Sequence, residues 1–162
     1  MIQFYGKISP TCNEKANRKQ ISDRGTAGLC LSPICFAIGL VLFAIGSRFT
    51  LLGVISVYLM AFSLPSLATG IRCKIIAKRP TIACKVYDTT NIVFEDSWVT
   101  YEEIELNRTA TFHVNDIRRA VDLGDCYLLF VANKYAQHIV CQKSLLVEGD
   151  LDEFETLSAD KL

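Results

Sequence analysis

Residues 26–47 and residues 49–71 are two long apolar runs with no charged side chain, and Arg48 alone carries a charge between them. Neither run shows the polar stripe that a helix on the surface of a soluble protein turns to water. At about 1.5 Å per residue each run reaches roughly 33 Å as a helix, and a bilayer's hydrocarbon core is about 30 Å thick. The pattern therefore predicts two transmembrane helices, 26–47 and 49–71. The connection at Arg48 is so short that they must return antiparallel as a hairpin. A buried hairpin in a soluble protein would need 46 nearly charge-free residues enclosed by the other 116. A cleaved signal peptide fits no better, because the first run follows 25 mostly polar residues and is too long for an apolar h-region.

On either side of the hairpin the period changes. Ile2, Phe4 and Ile8 share one parity and predict a short strand ended by Pro10. Thr11 and Glu14 then match the S/T-x-x-E capping box that opens a helix. Beyond Pro80 the alternation is that of strands: Ile82, Cys84 and Val86; Ile92 and Phe94; Val99, Tyr101 and Glu103; and residues 109–114. Residues 127–131 and 138–141 are two further short apolar runs, and turn signals fall at 88–91, 95–97, 107–108, 124–125 and 149–150. Asp150 can cap a last helix, with Glu153 in its first turn and Leu151, Phe154 and Leu157 along one face. The predicted fold is an α+β membrane protein: a cytosolic arm (1–25), a transmembrane hairpin (26–71), and a small antiparallel sheet or barrel of about six strands with a C-terminal helix (80–162).

Charge adds an orientation. The chain is neutral in sum, with 17 basic and 17 acidic residues, yet residues 1–85 carry a net +9 and residues 86–162 a net −9. Lys7, Lys15, Arg18, Lys19 and Arg24 precede the hairpin, and Arg72, Lys74, Lys78, Arg79 and Lys85 follow it. The positive-inside rule then places both termini in the cytoplasm and the hairpin in the cell (inner or plasma) membrane. Lys15, Arg18, Lys19, Arg72, Lys74, Lys78 and Arg79 are the candidate contacts to lipid head groups, each charge near an anionic surface being worth about 1 kcal/mol. The bilayer is thus the expected partner. A protein partner or self-association would use the sheet edge or residues 127–130. Nucleic acid is not expected, since the acidic domain would be repelled by phosphates.

Within the spans Ser32, Gly39 and Gly46 recur every seven residues, as do Ser56, Ser63 and Gly70. Small residues at that spacing let two membrane helices approach closely and mark these six as candidate helix–helix packing positions. Pro33 lies near the start of its span, while Pro65 should kink the second span or end it. No Asp, Glu, Lys or His lies inside either span, which argues against an ion path or a proton relay.

Candidate chemistry is sparse. The seven cysteines form no CxxC pair and read as reduced, small apolar fillers. His138 and Cys141, three apart on a strand, point to opposite faces and do not share a zinc ion. Pairing Cys126 or Cys141 with His113 or His138 as nucleophile and base has no support in spacing. Glu102, Glu103 and Glu105 could hold a divalent cation or a basic partner, but such runs are more often solvated faces. No phosphate loop, no G-x-S-x-G and no H-E-x-x-H occurs. The expectation is a non-enzymatic protein without a cofactor or metal, either an interaction module or a small accessory subunit associating through its hairpin.

Four stretches carry a family resemblance: residues 112–117 (Phe-His-Val-Asn-Asp-Ile), 125–130 (Asp-Cys-Tyr-Leu-Leu-Phe), 139–143 (Ile-Val-Cys-Gln-Lys) and 149–154 (Gly-Asp-Leu-Asp-Glu-Phe). With the two preceding spans and the short N-terminal strand, the chain resembles the YcxB-like proteins of bacterial membranes along nearly all its length. It departs from their pattern at His113-Val114 and at Cys141-Gln142. The resemblance implies a pleckstrin-homology-like fold, a bent antiparallel sheet capped by a C-terminal helix, and no established activity.

Overall fold

The computed structural model describes residues 1–46, 51–79, 89–132, 138–158 and 161. Its elements in chain order are β1 (Ile2–Lys7), α1 (Pro10–Ile45), α2 (Leu51–Ala77), β2 (Thr89–Glu95), β3 (Trp98–Glu103), β4 (Arg108–His113), β5 (Ile117–Asp122), β6 (Cys126–Val131), β7 (His138–Gln142), β8 (Leu146–Glu148) and α3 (Leu151–Leu157). The chain divides into two compact units, Met1–Ala16 with Ala83–Leu162, and Asn17–Ile82. The N-terminal segment is therefore no separate arm. It belongs to the acidic C-terminal unit, and the division falls inside α1.

In the first unit two antiparallel sheets form, one of order β4-β3-β2-β1-β8 and one of order β5-β6-β7. β1 lies inside the larger sheet, pairing Ile2 with Phe94 and Phe4 with Ile92 on one side and reaching Leu146 of β8 on the other. Two tight turns build the β2–β3–β4 meander, and each has one residue with positive φ, Asp96 (50°) and Asn107 (47°). Asp and Asn are the L residues that enter this region most readily. Alternation puts Ile2, Phe4, Ile92, Phe94, Val99, Ala110 and Phe112 into one core. Phe154 of α3 closes that core, edge-on to Phe4 at 5.4 Å and to Phe94 at 5.3 Å, and tilted on Tyr127 at 4.9 Å. Such geometry suits the ring quadrupoles and adds to the area they bury.

β6 is buried on both faces. Tyr127, Leu129 and Val131 enter the main core, while Cys126 and Leu128 meet Ile8, Cys12, Ala16 and Val140 in a second cluster. An unbroken apolar run is what a strand covered on both sides requires. This corrects the expectation that residues 127–130 offer a docking surface, because Tyr127, Leu128 and Leu129 are fully buried. β5 was not foreseen. Thr89 to Asn91, expected in a turn, lie in β2, and the strand expected at Ile82, Cys84 and Val86 lies outside the described residues. No closed barrel forms among the described residues: the two sheets stay separate, and the edge of β5 is met by the chain end, Ala120 N–H donating to Lys161 O at 2.7 Å. The observed layout is α+β, with two long apolar helices, antiparallel sheets and a C-terminal helix.

The helix cap lies two residues before the Thr11 of the capping-box reading. Ser9 Oγ accepts the Cys12 N–H at 3.3 Å, so Ser9 is the cap and Pro10 opens the first turn, where its missing N–H costs nothing. α1 runs on through Pro33 and α2 through Pro65, so Pro65 does not end its helix.

Candidate functional site

Within the unit Asn17–Ile82 the two helices lie antiparallel along a seam of small residues. A Cβ added to Gly28 would stand 2.9 Å from Ser66 O and 3.2 Å from Gly70 Cα. One added to Gly39 would stand 3.1 Å from Ser56 O, and one added to Gly46 would stand 3.3 Å from Gly53 N. Backbones this close leave no ready room for a Cβ at these three glycines. From Gly25 to the end of α2 the buried described residues are Gly25, Ser32, Gly39, Gly53, Ser56, Ser63 and Gly70. All of them are Gly or Ser. Each seam hydroxyl is satisfied: Ser32 Oγ donates across the hairpin to Ser63 O at 2.8 Å, and Ser56 and Ser63 donate to Gly53 O and Met60 O within α2, both at 2.7 Å. The large apolar side chains point outward, Ile45, Leu51, Phe62 and Leu64 being more than 60% exposed.

All six packing candidates thus fall in or beside this seam, Gly46 half-buried and the other five buried. Gly25 continues the seven-residue register of Ser32, Gly39 and Gly46 backward, but it precedes the apolar run and so escaped the spacing rule. Gly28 and Gly53 stand off that register, and only the close approach identifies them.

The basic residues at the open end of the hairpin divide by what they touch. Arg18 Nη1 donates to Ala77 O at 3.0 Å, where a cation at a helix C-terminus meets unpaired carbonyls and the negative end of the helix dipole. Lys74 Nζ donates to Ser22 Oγ at 3.0 Å and Thr26 Oγ1 at 2.7 Å, and Lys19 pairs with Asp23 at 3.1 Å. Lys15, in the other unit, is bonded to Asp125, which raises its pKa above the ordinary lysine value. Arg72, Lys78 and Arg79 are exposed.

In the first unit a polar group ties α3 to the smaller sheet. Tyr127 donates to Glu155, and Lys143 sits 4.3 Å above the Tyr127 ring while pairing with Asp122 at 3.0 Å. Burial and the bond to Glu155 raise the Tyr127 pKa. For Asp122, burial opposes the charge, but the Gly124 N–H and the Lys143 ammonium outweigh it and hold the carboxyl below its usual range. These bonds join α3 to the smaller sheet.

The remaining candidates are likewise engaged. Cys126 and Cys141 are fully buried, and desolvation first of all pushes both thiols up, Cys126 to about 12. His113 caps a 3₁₀ turn, its Nδ1 accepting the Asn115 N–H at 3.1 Å. His138 is exposed while Cys141 enters the core, on opposite faces of β7. Glu102, Glu103 and Glu105 accept bonds from Asn91, Tyr101 and Thr89 respectively and do not converge. Among the described residues no group of three metal-ligating side chains assembles.

Neither family models, curated proteins nor solved structures yield a match to this chain.

Proposed function

We propose that the chain is an integral membrane protein whose α1–α2 hairpin spans the bilayer and tethers a small cytosolic α+β interaction domain, with no catalysis of its own. One observation carries the reading. The hairpin buries glycine and serine and turns leucine, isoleucine, valine and phenylalanine outward, the reverse of a soluble helix pair. Both helices are long and apolar enough to cross a membrane. In water that surface would aggregate; in lipid it needs no cover, and helices then associate through close backbone packing.

The domain's pleckstrin-homology-like character and its kinship with YcxB-like proteins belong to the same proposal. An antiparallel meander and a C-terminal helix plugging the core support them, and an open sheet is compatible with a bent one. A non-enzymatic role is favoured by the engagement of Cys126, Cys141 and His113 in packing and capping. The alternative, an accessory subunit recruited through the small residues of the hairpin, is less favoured because those residues face one another within one chain. Any association in the membrane would use the outer, bulky surface.

Alkaline carbonate extraction of membranes from cells expressing the full chain tests the reading. The protein is expected to stay in the pellet and to require detergent for release. Recovery in the carbonate supernatant would overturn the spanning hairpin.

A further inference from the structure

The cations of the hairpin's open end form two sets, and the side chains of the second have no partner among the described residues. Arg18, Lys19 and Lys74 are bonded across or along the helices. Arg24, Arg72, Lys78 and Arg79 are exposed, and their side chains make no hydrogen bond or ion pair with any described residue. Arg72 lies in the last turns of α2, and Lys78 and Arg79 directly follow its last residue, Ala77. The Lys78 N–H donates to Ile75 O at 3.2 Å and the Arg79 N–H to Ile76 O at 3.0 Å, which holds both residues against the end of the helix. Gly25 abuts Gly70 O, Cys73 and Lys74, so Arg24 beside it is level with the Arg72 end of that stretch.

A second observation fixes what surrounds them. Ile71 and Ile75, interleaved with Arg72 and Lys78, are 46% and 56% exposed. Apolar and cationic side chains exposed together at the end of α2 suit the boundary between acyl chains and head groups, where an arginine can lie along hydrocarbon while its guanidinium reaches phosphate.

We propose that Arg24, Arg72, Lys78 and Arg79 form a binding site for the phosphate of an anionic phospholipid, with Ile71 and Ile75 against its acyl chains. Lys15, Arg18, Lys19 and Lys74 are structural and lie outside the site. Guanidinium forks grip phosphate oxygens in pairs, which gives the site more than diffuse attraction. The proposal rests on the hairpin spanning the bilayer, and its test separates the two.

The full chain, purified in a mild non-ionic detergent, is titrated with phosphatidylglycerol or phosphatidylcholine, and bound lipid is read by native mass spectrometry. Phosphatidylglycerol is expected to be retained preferentially, also in excess inorganic phosphate. Each exposed charge contributes about fivefold near an anionic surface, so Arg24→Gln, Arg72→Gln, Lys78→Gln and Arg79→Gln together should lower that preference by roughly a hundredfold or more. Lys15→Gln with Lys19→Gln should leave it within about threefold, given screening over about 8 Å. The charge-retaining Arg24→Lys, Arg72→Lys, Arg79→Lys protein, which guards against misfolding, should keep a clear preference. Equal losses from both sets, no preference over phosphatidylcholine, or displacement of the lipid by inorganic phosphate would each overturn the site. A protein that resists carbonate extraction yet shows no preference sinks the site alone, whereas one released by carbonate sinks the spanning hairpin beneath it.

Discussion

A single methyl group decides whether the hairpin seam closes. At Gly28 a Cβ would press on a backbone oxygen, Ser66 O, at 2.9 Å, and backbone cannot swing aside as a side chain can. Gly28→Val should therefore destabilise the hairpin by about 1–3 kcal/mol, whereas Ala27→Val, on the exposed side of the same turn, should stay within about 0.5 kcal/mol. Unfolding of the full chain in mixed micelles reads both, and equal costs would mean that the seam is not where the helices touch. The seven-residue register of the seam was legible because a helix returns to nearly the same face every heptad. Gly28 was not, because close approach depends on the partner helix. Cys126 offers a second test at this scale. Burial raises its thiol from 9.0 to about 12, so the folded chain keeps the neutral form while the unfolded chain ionises first. The stability this contributes is intact below pH 9 and is lost as the pH rises toward 12. Relative to Cys126→Ala, the parent should lose stability over that window in urea titrations. A constant difference would show that the thiol is not desolvated.

At the scale of elements, β1 matters most and was least visible as a partner. Its alternation marked a strand, but nothing local could reveal that it inserts between β2 and β8, more than eighty residues away along the chain. β5 escaped for a different reason: Arg118-Arg119 interrupts the alternation, and the register against β6 shifts between Ile117 and Arg119. The run 126–131 was visible as apolar, yet its burial on both faces follows from the first turns of α1 packing over it, which is again non-local. Because Phe4 contacts both Phe94 and Phe154, Phe4→Ala should cost about 3–5 kcal/mol. A fragment starting at residue 79 lacks β1 and should remain unfolded by circular dichroism and by amide exchange. Adding a peptide of residues 1–16 should restore protection in β2. Native-like protection in the fragment alone would show that β1 is dispensable.

For the whole molecule, the ladder between β1 and β2 constrains topology independently of charge. β1 precedes both apolar helices and β2 follows them, yet their backbones are hydrogen-bonded from Ile2↔Phe94 to Lys7↔Thr89. Strands so paired occupy one compartment, so any crossings of a bilayer by the chain between them must be even in number. Two spans satisfy this; a single span with the other helix outside does not. In the proposed hairpin the surplus of Lys and Arg beside the helices would keep that compartment cytoplasmic, since basic flanks resist translocation. Thr109 is exposed on β4, and Ser47 ends the first apolar run, next to Arg48 in the sequence. In intact cells a membrane-impermeant maleimide is expected to modify Ser47→Cys, and to reach Thr109→Cys only after the membrane is permeabilised. The parent chain serves as background, and its buried Cys126 and Cys141 should contribute little. Modification of both positions without permeabilisation would break the even-crossing constraint, and modification of Thr109→Cys alone would reverse the orientation while leaving the hairpin intact.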